Sequence, residues 1–310
     1  MISVDCISKQ YHTRVKDGFL RSHTEYKDAV SDISFNVAAG EMIGYIGPNG
    51  SGKSTTIKML TGILMPDGGK ILVDGIDPYR ERKRNGRNIG VIFGQRSQLW
   101  WHLQLRDTFR LFQHMYSVPE NVYQERLVTL REILELDEFW HQPVRQLSLG
   151  QRMRGELAAA LLHGPKILYL DEPTVGMDVM VKERIRSLLK EFHKQGVTIL
   201  LTTHDLDDIE RLCERVLVIN HGKLLYDGSM SEMRARCTAD ARVQIDFSDE
   251  EPILSDKLRG VKQKGRRVTF ALNRALGESE LLTETIRQNH IRDISITEPS
   301  IDDVVRDFYK

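Results

Sequence analysis

The chain has 310 residues, of which 40% are hydrophobic and 28% are charged, the composition of an ordinary globular protein. Lys plus Arg and Asp plus Glu number 44 each, so the net charge is zero and gives no general reason to expect nucleic acid or an anionic surface as a partner. No run of about 18 apolar residues is present, and the N-terminal segment lacks the apolar core of a secretion signal, so we expect neither a membrane-spanning helix nor a secreted protein.

The N-terminal part of the chain predicts two strands with a polar segment between them. Residues 2–8 alternate apolar and polar side chains, as a half-buried strand does, and a strand pattern returns over 29–37. Residues 12–27 are polar and basic. We expect them to form a surface loop, with Tyr11 just before it.

The next segment carries the strongest functional signal. Residues 47–54 read GPNGSGKS and match the phosphate-loop pattern G-x-x-x-x-G-K-[ST]. An apolar run over 41–46 predicts a strand before the loop, and residues 54–60 predict a helix after it. An ordinary glycine-rich turn is the alternative, but this strand and helix supply the context that a phosphate loop requires.

The residue types in this loop account for its chemistry. Glycines let the backbone bend and aim N–H groups at phosphate oxygens, and the helix adds the positive end of its dipole. Lys53 can reach the β and γ phosphates, and the Ser54 hydroxyl can bind Mg²⁺. The predicted nucleotide-binding residues of the loop are Gly47, Pro48, Asn49, Gly50, Ser51, Gly52, Lys53, Ser54 and Thr55.

A charged segment and a helical region follow the loop. After a turn and a short strand over 70–74, residues 80–88 carry five positive charges and one negative charge. A solvated face is the ordinary interpretation of such a run, and proximity to lipid headgroups or a membrane partner is the alternative. Residues 88–94 predict a buried strand that Gln95 ends. The helical spacing over 98–164 predicts an insertion of helices.

Two carboxylates close the next predicted strand, residues 166–172 (KILYLDE). Asp171 can reach a metal-bound water, and Glu172 can polarise an attacking water as a general base. A solvated strand end is the alternative. The chain then alternates a helix, a strand, a helix and a hairpin over 179–194, 197–204, 205–214 and 215–227. This alternation predicts a mostly parallel sheet.

The last part of the chain predicts a small α+β domain. Strand and helix patterns alternate there over 242–247, 267–272, 278–288 and 294–297. Ser300 and Asp303 fit the start of a final helix. We therefore expect one domain over 1–235 and a second over 236–310.

Residues 147–151 read LSLGQ, which resembles the LSGGQ signature of the ATP-binding-cassette (ABC) family. The phosphate loop, Gln95, the signature, Asp171 with Glu172, residues 175–178 (VGMD) and His204 also follow the order of motifs in that family. The resemblance covers about residues 1–230. It implies an α/β fold, namely an ABC-type P-loop NTPase domain with a RecA-like mixed sheet core and a helical subdomain, here joined to the small C-terminal domain.

The family design implies a function in which two such domains face head to tail and sandwich two ATP molecules. Glu172, Gln95 and His204 resemble the family's catalytic residues. Ser148, Gly150 and Gln151 would bind the ATP held mainly by the partner, and Asp178 would couple the two sites. Mg²⁺ would be bound by Ser54, Gln95 and Asp171. Tyr11 resembles the aromatic residue that stacks on adenine, with Tyr26 as a competitor.

Two features distinguish this chain within the family. Leu149 replaces the middle glycine of the signature, which puts in doubt the backbone freedom of that turn. Trp100 and Trp101 follow Gln95 closely, where the family meets its membrane partner. They are suited to a contact surface, or they pack inside the helical subdomain.

These observations predict the ATPase subunit of a transporter. Segments around Gln95, the signature and the C-terminal end are similar to a bacterial group that serves export-type, six-helix permeases. The expected partners are a permease and a second ATPase subunit, with no nucleic acid. The chain would lie in the cytoplasm on the inner face of the cell membrane. Its three cysteines are scattered without CxxC spacing and are therefore expected to be reduced thiols, as in a cytosolic protein.

Two other function classes remain as alternatives. A soluble ABC ATPase acting as an assembly scaffold or regulator would share the motifs and lack a permease. A phosphate-loop GTPase or small-molecule kinase would leave LSLGQ without explanation, and no NKxD guanine-reading motif occurs.

Overall fold

The computed structural model describes residues 1–17, 21–94, 97–203, 205–236, 240–249, 252–272, 279–297 and 304–305. Two compact units divide the chain, Met1–Met230 and Ser231–Lys310. The strands are β1 Ile2–Asp17, β2 Arg21–Val37, β3 Met42–Ile46, β4 Gly68–Val73, β5 Ile89–Phe93, β6 Ile167–Asp171, β7 Thr198–Thr202, β8 Arg215–Asn220, β9 Lys223–Ser229, β10 Ala241–Phe247, β11 Arg259–Lys264, β12 Arg267–Leu272 and β13 Ile291–Thr297. The helices are α1 Lys53–Leu60, α2 Arg82–Asn88, α3 Leu105–Tyr116, α4 Glu120–Ile133, α5 Leu149–Leu161, α6 Val179–Lys194, α7 Leu206–Leu212, α8 Met230–Arg236 and α9 Ser279–Gln288.

A six-stranded sheet in the order β5-β6-β7-β3-β8-β9 forms the centre of the first unit. Its first five strands run parallel, and β9 pairs antiparallel to β8 at the edge. All residues of β3 and β7 are buried, as in sheets covered on both faces. This confirms the mostly parallel sheet predicted from the alternating pattern.

The N-terminal strands form a second, antiparallel sheet in the order β2-β1-β4. The surface loop predicted over 12–27 is wrong for residues 12–17 and 21–27, and residues 18–20 lie outside the described residues. Strands β1 and β2 pair there as a ladder from Tyr11 opposite Lys27 to Asp17 opposite Arg21. The ladder uses backbone hydrogen bonds, which do not require apolar side chains, and its residues include strand formers such as Thr13 and Val15. The polarity of the side chains in this segment therefore did not distinguish a strand from a loop.

Helices α3, α4 and α5 lie between β5 and β6 in the chain, as the insertion over 98–164 predicted. Their core includes Phe109 and Trp140, whose rings meet edge to face at 5.3 Å between centroids. Leu127, Leu130 and Leu134 are buried in this region. The signature segment leads directly into α5.

The second unit is built on an antiparallel sheet in the order β11-β12-β10-β13. Its core includes Val243, Phe247 and Phe270. The sequence did not predict β11, because all six of its residues are exposed and show no alternation of burial. Of the predicted final helix, only residues 304 and 305 are described and helical, while Ser300 and Asp303 lie outside the described residues.

Within the described parts of the chain, no helix is both long enough and apolar enough to cross a membrane.

Candidate active site

The phosphate loop connects β3 to α1 through backbone conformations that favour glycine. Gly50 and Gly52 have φ of +80° and +113°, values in the region where side chains with a Cβ are strained. Gly52 is the residue immediately before α1. The turn thus ends at the N-terminus of α1, where the first N–H groups of a helix have no carbonyl partner within the helix itself.

Close packing against neighbouring backbone explains two of the glycines. A Cβ on Gly47 would lie 2.3 Å from the carbonyl oxygen of Ile219, and one on Gly52 would lie 2.4 Å from that of Ala29. Both distances are too short for a side chain to be accommodated without moving the backbone. The loop is therefore fixed by β8 on one side and β2 on the other.

Lys53 is held inside the curve of this loop. Its Nζ donates hydrogen bonds to the carbonyl oxygens of Gly47 at 2.6 Å and Pro48 at 3.1 Å. Burial lowers the pKa of Lys53, while the nearby carboxylates of Glu172 and Asp171 act in the opposite direction. A partly desolvated cation at this place interacts strongly with a phosphate.

The carboxylate of Asp171, at the end of β6, accepts a hydrogen bond on each oxygen. Ser54 Oγ donates to Oδ2 at 2.9 Å, and Thr202 Oγ1 donates to Oδ1 at 2.5 Å. The structure therefore brings together Ser54 and Asp171, two of the three predicted metal-binding residues, which are 117 positions apart in the chain. Thr202 was missed by the sequence analysis, although the carboxyl ends of parallel strands share one edge of a sheet and β7 ends beside β6.

Glu172 follows Asp171 in an unusual backbone conformation, with φ of +57°. Its N–H donates to the carbonyl oxygen of Thr202 at 2.9 Å, which ties this turn to the end of β7. Non-glycine residues at positive φ are uncommon and carry strain, and such strain is concentrated at functional sites. The turn places the Glu172 side chain at the same sheet edge as Ser54 and Lys53.

An ionic cluster that is buried at Asp208 and Arg186 follows this edge in the chain. Asp208 on α7 accepts hydrogen bonds from Thr174 Oγ1 and Arg186 Nε, both at 2.6 Å. Asp205 forms an ion pair with Lys182 at 2.6 Å. Together these contacts join α6 and α7 to the segment after Glu172.

Two predicted catalytic residues, His204 and Gln95, lie outside the described residues.

The signature residues form the start of α5. The backbone N–H of Gln151 donates to Ser148 Oγ at 3.2 Å, and the Ser148 N–H donates to Gln151 Oε1 at 2.9 Å, a reciprocal capping box. Gln151 is thereby committed to the cap, whereas the space around the Gly150 Cα is open. Asp178 caps α6 in a similar way, accepting from the Val181 N–H at 2.9 Å.

The two candidate adenine-stacking tyrosines lie on opposite faces of the hairpin. Tyr11 is one residue from His12, and His12 is opposite Tyr26 across the ladder. The Tyr11 hydroxyl is 3.5 Å from Thr55 Oγ1 in α1. Tyr26 instead packs edge to face on His12, with 4.8 Å between the ring centroids. Only Tyr11 is thus beside the phosphate loop.

The residues at this edge fit a nucleoside triphosphate with Mg²⁺. Ser51 Oγ is buried and has no hydrogen-bond partner among the described residues, so it can donate to a phosphate oxygen. The described residues contain no group of three His, Cys, Asp or Glu side chains that could hold a metal by themselves. The hydroxyl of Ser54 and the carboxylate of Asp171 meet here, and Mg²⁺ is usually held by one or two protein oxygens together with phosphates and water.

Comparison with known proteins agrees with this arrangement. A family profile described as ABC transporter matches residues 30–175. The chain is 34% identical over 245 residues to the Nod factor export ATP-binding protein I of Ralstonia nicotianae, covering 79% of this chain and 76% of that protein. The chain belongs to the family of ABC transporter ATP-binding proteins.

Further similarities define its activity as an ABC ATPase. It is 32% identical over 222 residues to the linearmycin resistance ATP-binding protein LnrL of Bacillus subtilis, covering 72% of this chain and 71% of that protein. A solved dimeric ATP-binding cassette in a post-hydrolysis state with ADP and phosphate matches with a TM-score of 0.65 and 26% identity, covering 74% of this chain and 99% of that one. The chain is thus the ATP-binding subunit of an ABC transporter and hydrolyses ATP to ADP and phosphate.

Proposed function

We propose that this ABC ATPase powers an exporter from the inner face of the cell membrane, as a dimer of two copies bound to a separate permease. The observation that carries the proposal is the convergence of Lys53, Ser54, Asp171 and Glu172 at one sheet edge. The relatives named for Nod factor export and linearmycin resistance support the export direction.

Each residue at this edge has a distinct task. Backbone N–H groups of the phosphate loop and Lys53 hold the β and γ phosphates. Glu172 accepts the proton of the attacking water as the bond between the γ phosphorus and the ADP oxygen breaks. Ser54 and Asp171, with Gln95, would hold Mg²⁺, which offsets negative charge on the phosphates. His204 contacts the γ-phosphate, and Tyr11 stacks on the adenine.

The second copy completes the site. Its Ser148 and Gly150, at a helix N-terminus, contact the γ-phosphate, and Asp178 links the two sites. The C-terminal domain predicted over 236–310 assists dimer contacts or regulation. None of the residues with a task in ATP hydrolysis lies in it.

The permease contacts the exposed turn that carries Trp100 and Trp101. These side chains are 50% and 49% exposed, so they do not pack inside the helical subdomain. Their backbone is nevertheless fixed, because the Leu103 N–H donates to the Trp100 carbonyl at 2.9 Å and the Arg145 N–H donates to the Trp101 carbonyl at 3.1 Å. Exposed aromatic rings on a rigid backbone are favourable contact residues.

The Glu172→Gln variant tests the catalytic assignment. It should lose about 100-fold or more in turnover, because the general base is absent, yet retain ATP binding. With ATP and Mg²⁺ it should accumulate as a dimer, measured by light scattering. Lys53→Met is the matched control and should show neither ATP binding nor dimer formation. Turnover at the wild-type rate in Glu172→Gln would contradict the assignment.

Co-purification from detergent-solubilised membranes tests the permease. A hydrophobic subunit should accompany the wild-type chain and be lost from the variant with Trp100→Ala and Trp101→Ala. Tyr79→Ala removes another exposed aromatic side chain and should retain the subunit. If the wild-type chain purifies without any membrane subunit, the scaffold function becomes the better interpretation.

A further inference from the structure

Glu156 is a buried carboxylate that none of the steps above uses. It lies in α5 and is only 4% exposed. Burial raises its pKa. Burying an ionisable group is unfavourable unless hydrogen bonds satisfy it, so its partners are informative.

Among the described residues, the hydrogen-bond partners of the Glu156 carboxylate come from the segment 97–99. Ser97 Oγ donates a short hydrogen bond to its Oε1, and the Gln98 N–H donates to Oε1 at 3.1 Å and Oε2 at 3.2 Å. The Gln98 side chain returns the contact, since its Nε2 donates to the Glu156 carbonyl oxygen at 3.3 Å. The same Nε2 donates to the carbonyl oxygen of Val91 in β5 at 3.3 Å. One carboxylate thus fastens this segment to α5, and Gln98 extends the connection to the sheet.

Packing at the neighbouring glycine strengthens this attachment. A Cβ on Gly155 would lie 3.0 Å from Leu105 Cδ1 and 3.1 Å from Leu99 Cδ1. The absence of a side chain at Gly155 therefore lets Leu99 approach α5 closely. Leu99 itself is buried, and its N–H donates to Ser97 Oγ at 3.2 Å.

The segment 97–99 connects the turn with Trp100 and Trp101 to the helix α5 that begins after Ser148. In one direction the chain continues directly into Trp100 and Trp101. In the other, α5 extends from Glu156 to its first turn after Ser148, roughly 12 Å away at 1.5 Å per residue. An unbroken helix transmits a displacement over that length.

We propose that Glu156 is a positioning residue that makes the Trp100–Trp101 turn and the N-terminus of α5 move as one body. Contact by a permease at the turn then changes the placement of Ser148 and Gly150 against the nucleotide of the partner copy. This consequence rests on the proposed function, whereas the attachment of the segment to α5 does not.

Hydrogen–deuterium exchange without nucleotide tests the attachment. Glu156→Gln replaces one acceptor oxygen by an NH₂ group, which cannot accept a hydrogen bond from the Gln98 N–H. Ser97→Ala removes the hydroxyl that donates to Glu156 Oε1. Both variants should exchange the Gln98 amide about tenfold faster than wild type, which corresponds to about 1.4 kcal/mol. Thr129→Ala is the control. It removes an exposed hydroxyl hydrogen bond elsewhere in the helical region and should leave residues 97–101 unchanged. Wild-type exchange in both Glu156→Gln and Ser97→Ala would overturn the proposal.

A second measurement tests the coupled motion. In the Glu172→Gln background, ATP with Mg²⁺ should protect residues 100–103 and 148–152 together. Adding Glu156→Gln should remove the protection at 100–103 and retain it at 148–152. Equal protection of both segments in the variant with Glu156→Gln would overturn the proposal. If that variant does not fold, Ser97→Ala takes its place in the same experiment. If Glu172→Gln forms no dimer with ATP, the proposed function fails, while the exchange without nucleotide still decides the attachment.

Steady-state kinetics separates positioning from general damage. Glu156→Gln should lower kcat about five- to tenfold and leave the KM for ATP within twofold, because the phosphate loop that binds ATP in the same copy is intact. A rise in KM with kcat unchanged would contradict a positioning role. Together the three measurements distinguish Glu156 from a residue that only stabilises the fold.

Discussion

The side chain of Leu149, the first residue of α5, lies directly over the backbone of Gly176. A Cβ on Gly176 would be 2.4 Å from Leu149 Cδ2, so the contact depends on the glycine, which also has φ of +72°. Leu149 is the position at which the signature departs from the usual glycine. Its side chain thus joins the signature to residues 175–178, the segment that ends at Asp178.

Replacing Leu149 should weaken dimer formation. Leu149→Ala removes the contact with Gly176. The signature and residues 175–178 are then no longer held together in the free copy, so they must be ordered when the two copies close on ATP. In the Glu172→Gln background we expect dimerisation about fivefold weaker, or about 1 kcal/mol, measured by analytical ultracentrifugation. Val179→Ala, a similar truncation at an exposed helix start, should have no effect. Unchanged dimerisation in Leu149→Ala would show that the contact is incidental.

Thr202→Val should reduce catalysis by removing one of the two hydroxyl donors to Asp171. The substitution preserves shape but leaves Oδ1 without its hydrogen bond, so the carboxylate is less well oriented. We expect kcat to fall about tenfold and the free energy of unfolding to fall by about 1–2 kcal/mol.

A second threonine on the same strand provides the control. Thr198 accepts a hydrogen bond from the Gly40 N–H at 2.9 Å, at the opposite end of β7. Thr198→Val should destabilise the fold comparably and leave kcat unchanged. An equal loss of activity in the two variants would attribute the effect to stability alone.

Tyr11→Ala should raise the KM for ATP, and Tyr26→Ala should not. Tyr11 is beside Thr55 of α1, whereas Tyr26 packs on His12. Loss of base stacking corresponds to about 1–3 kcal/mol, so we expect an increase of about tenfold. Tyr11→Phe retains the ring and should behave as wild type. A larger effect from Tyr26→Ala would reverse the assignment.

His163 should make the stability of the fold depend on pH. Burial lowers its pKa to about 4, and its ring stacks on Tyr116 with centroids 4.0 Å apart. An unfolded histidine has a pKa of about 6.5, so the unfolded chain binds the proton first as the pH falls. Stability contributed by the neutral ring is present above pH 6.5 and is lost between about pH 6.5 and 4, by up to about 3 kcal/mol.

Urea unfolding of wild type and His163→Phe at several pH values checks this. The free energy of unfolding of the wild type should fall between pH 6.5 and pH 4, and that of His163→Phe should fall less over the same interval. An NMR titration that places the His163 midpoint near 6.5 in the folded protein would refute the expectation.

The amino-acid sequence by itself determined the features that depend on neighbouring residues. The phosphate loop, the buried strands of the central sheet and the helices inserted over 98–164 were all predicted, because turn geometry, apolar runs and helical spacing are local properties. Polarity misled over residues 12–27, since a strand ladder is held by backbone groups that no side-chain pattern reveals.

Only the tertiary structure decided which distant residues meet. Thr202 and Asp171 are 31 positions apart, and Ser97 and Glu156 are 59 apart. The packing of Leu149 on Gly176 is likewise absent from any local pattern. Such contacts depend on sheet order and helix placement, so the orientation of the catalytic carboxylate and the attachment of the signature helix follow from the folded chain alone.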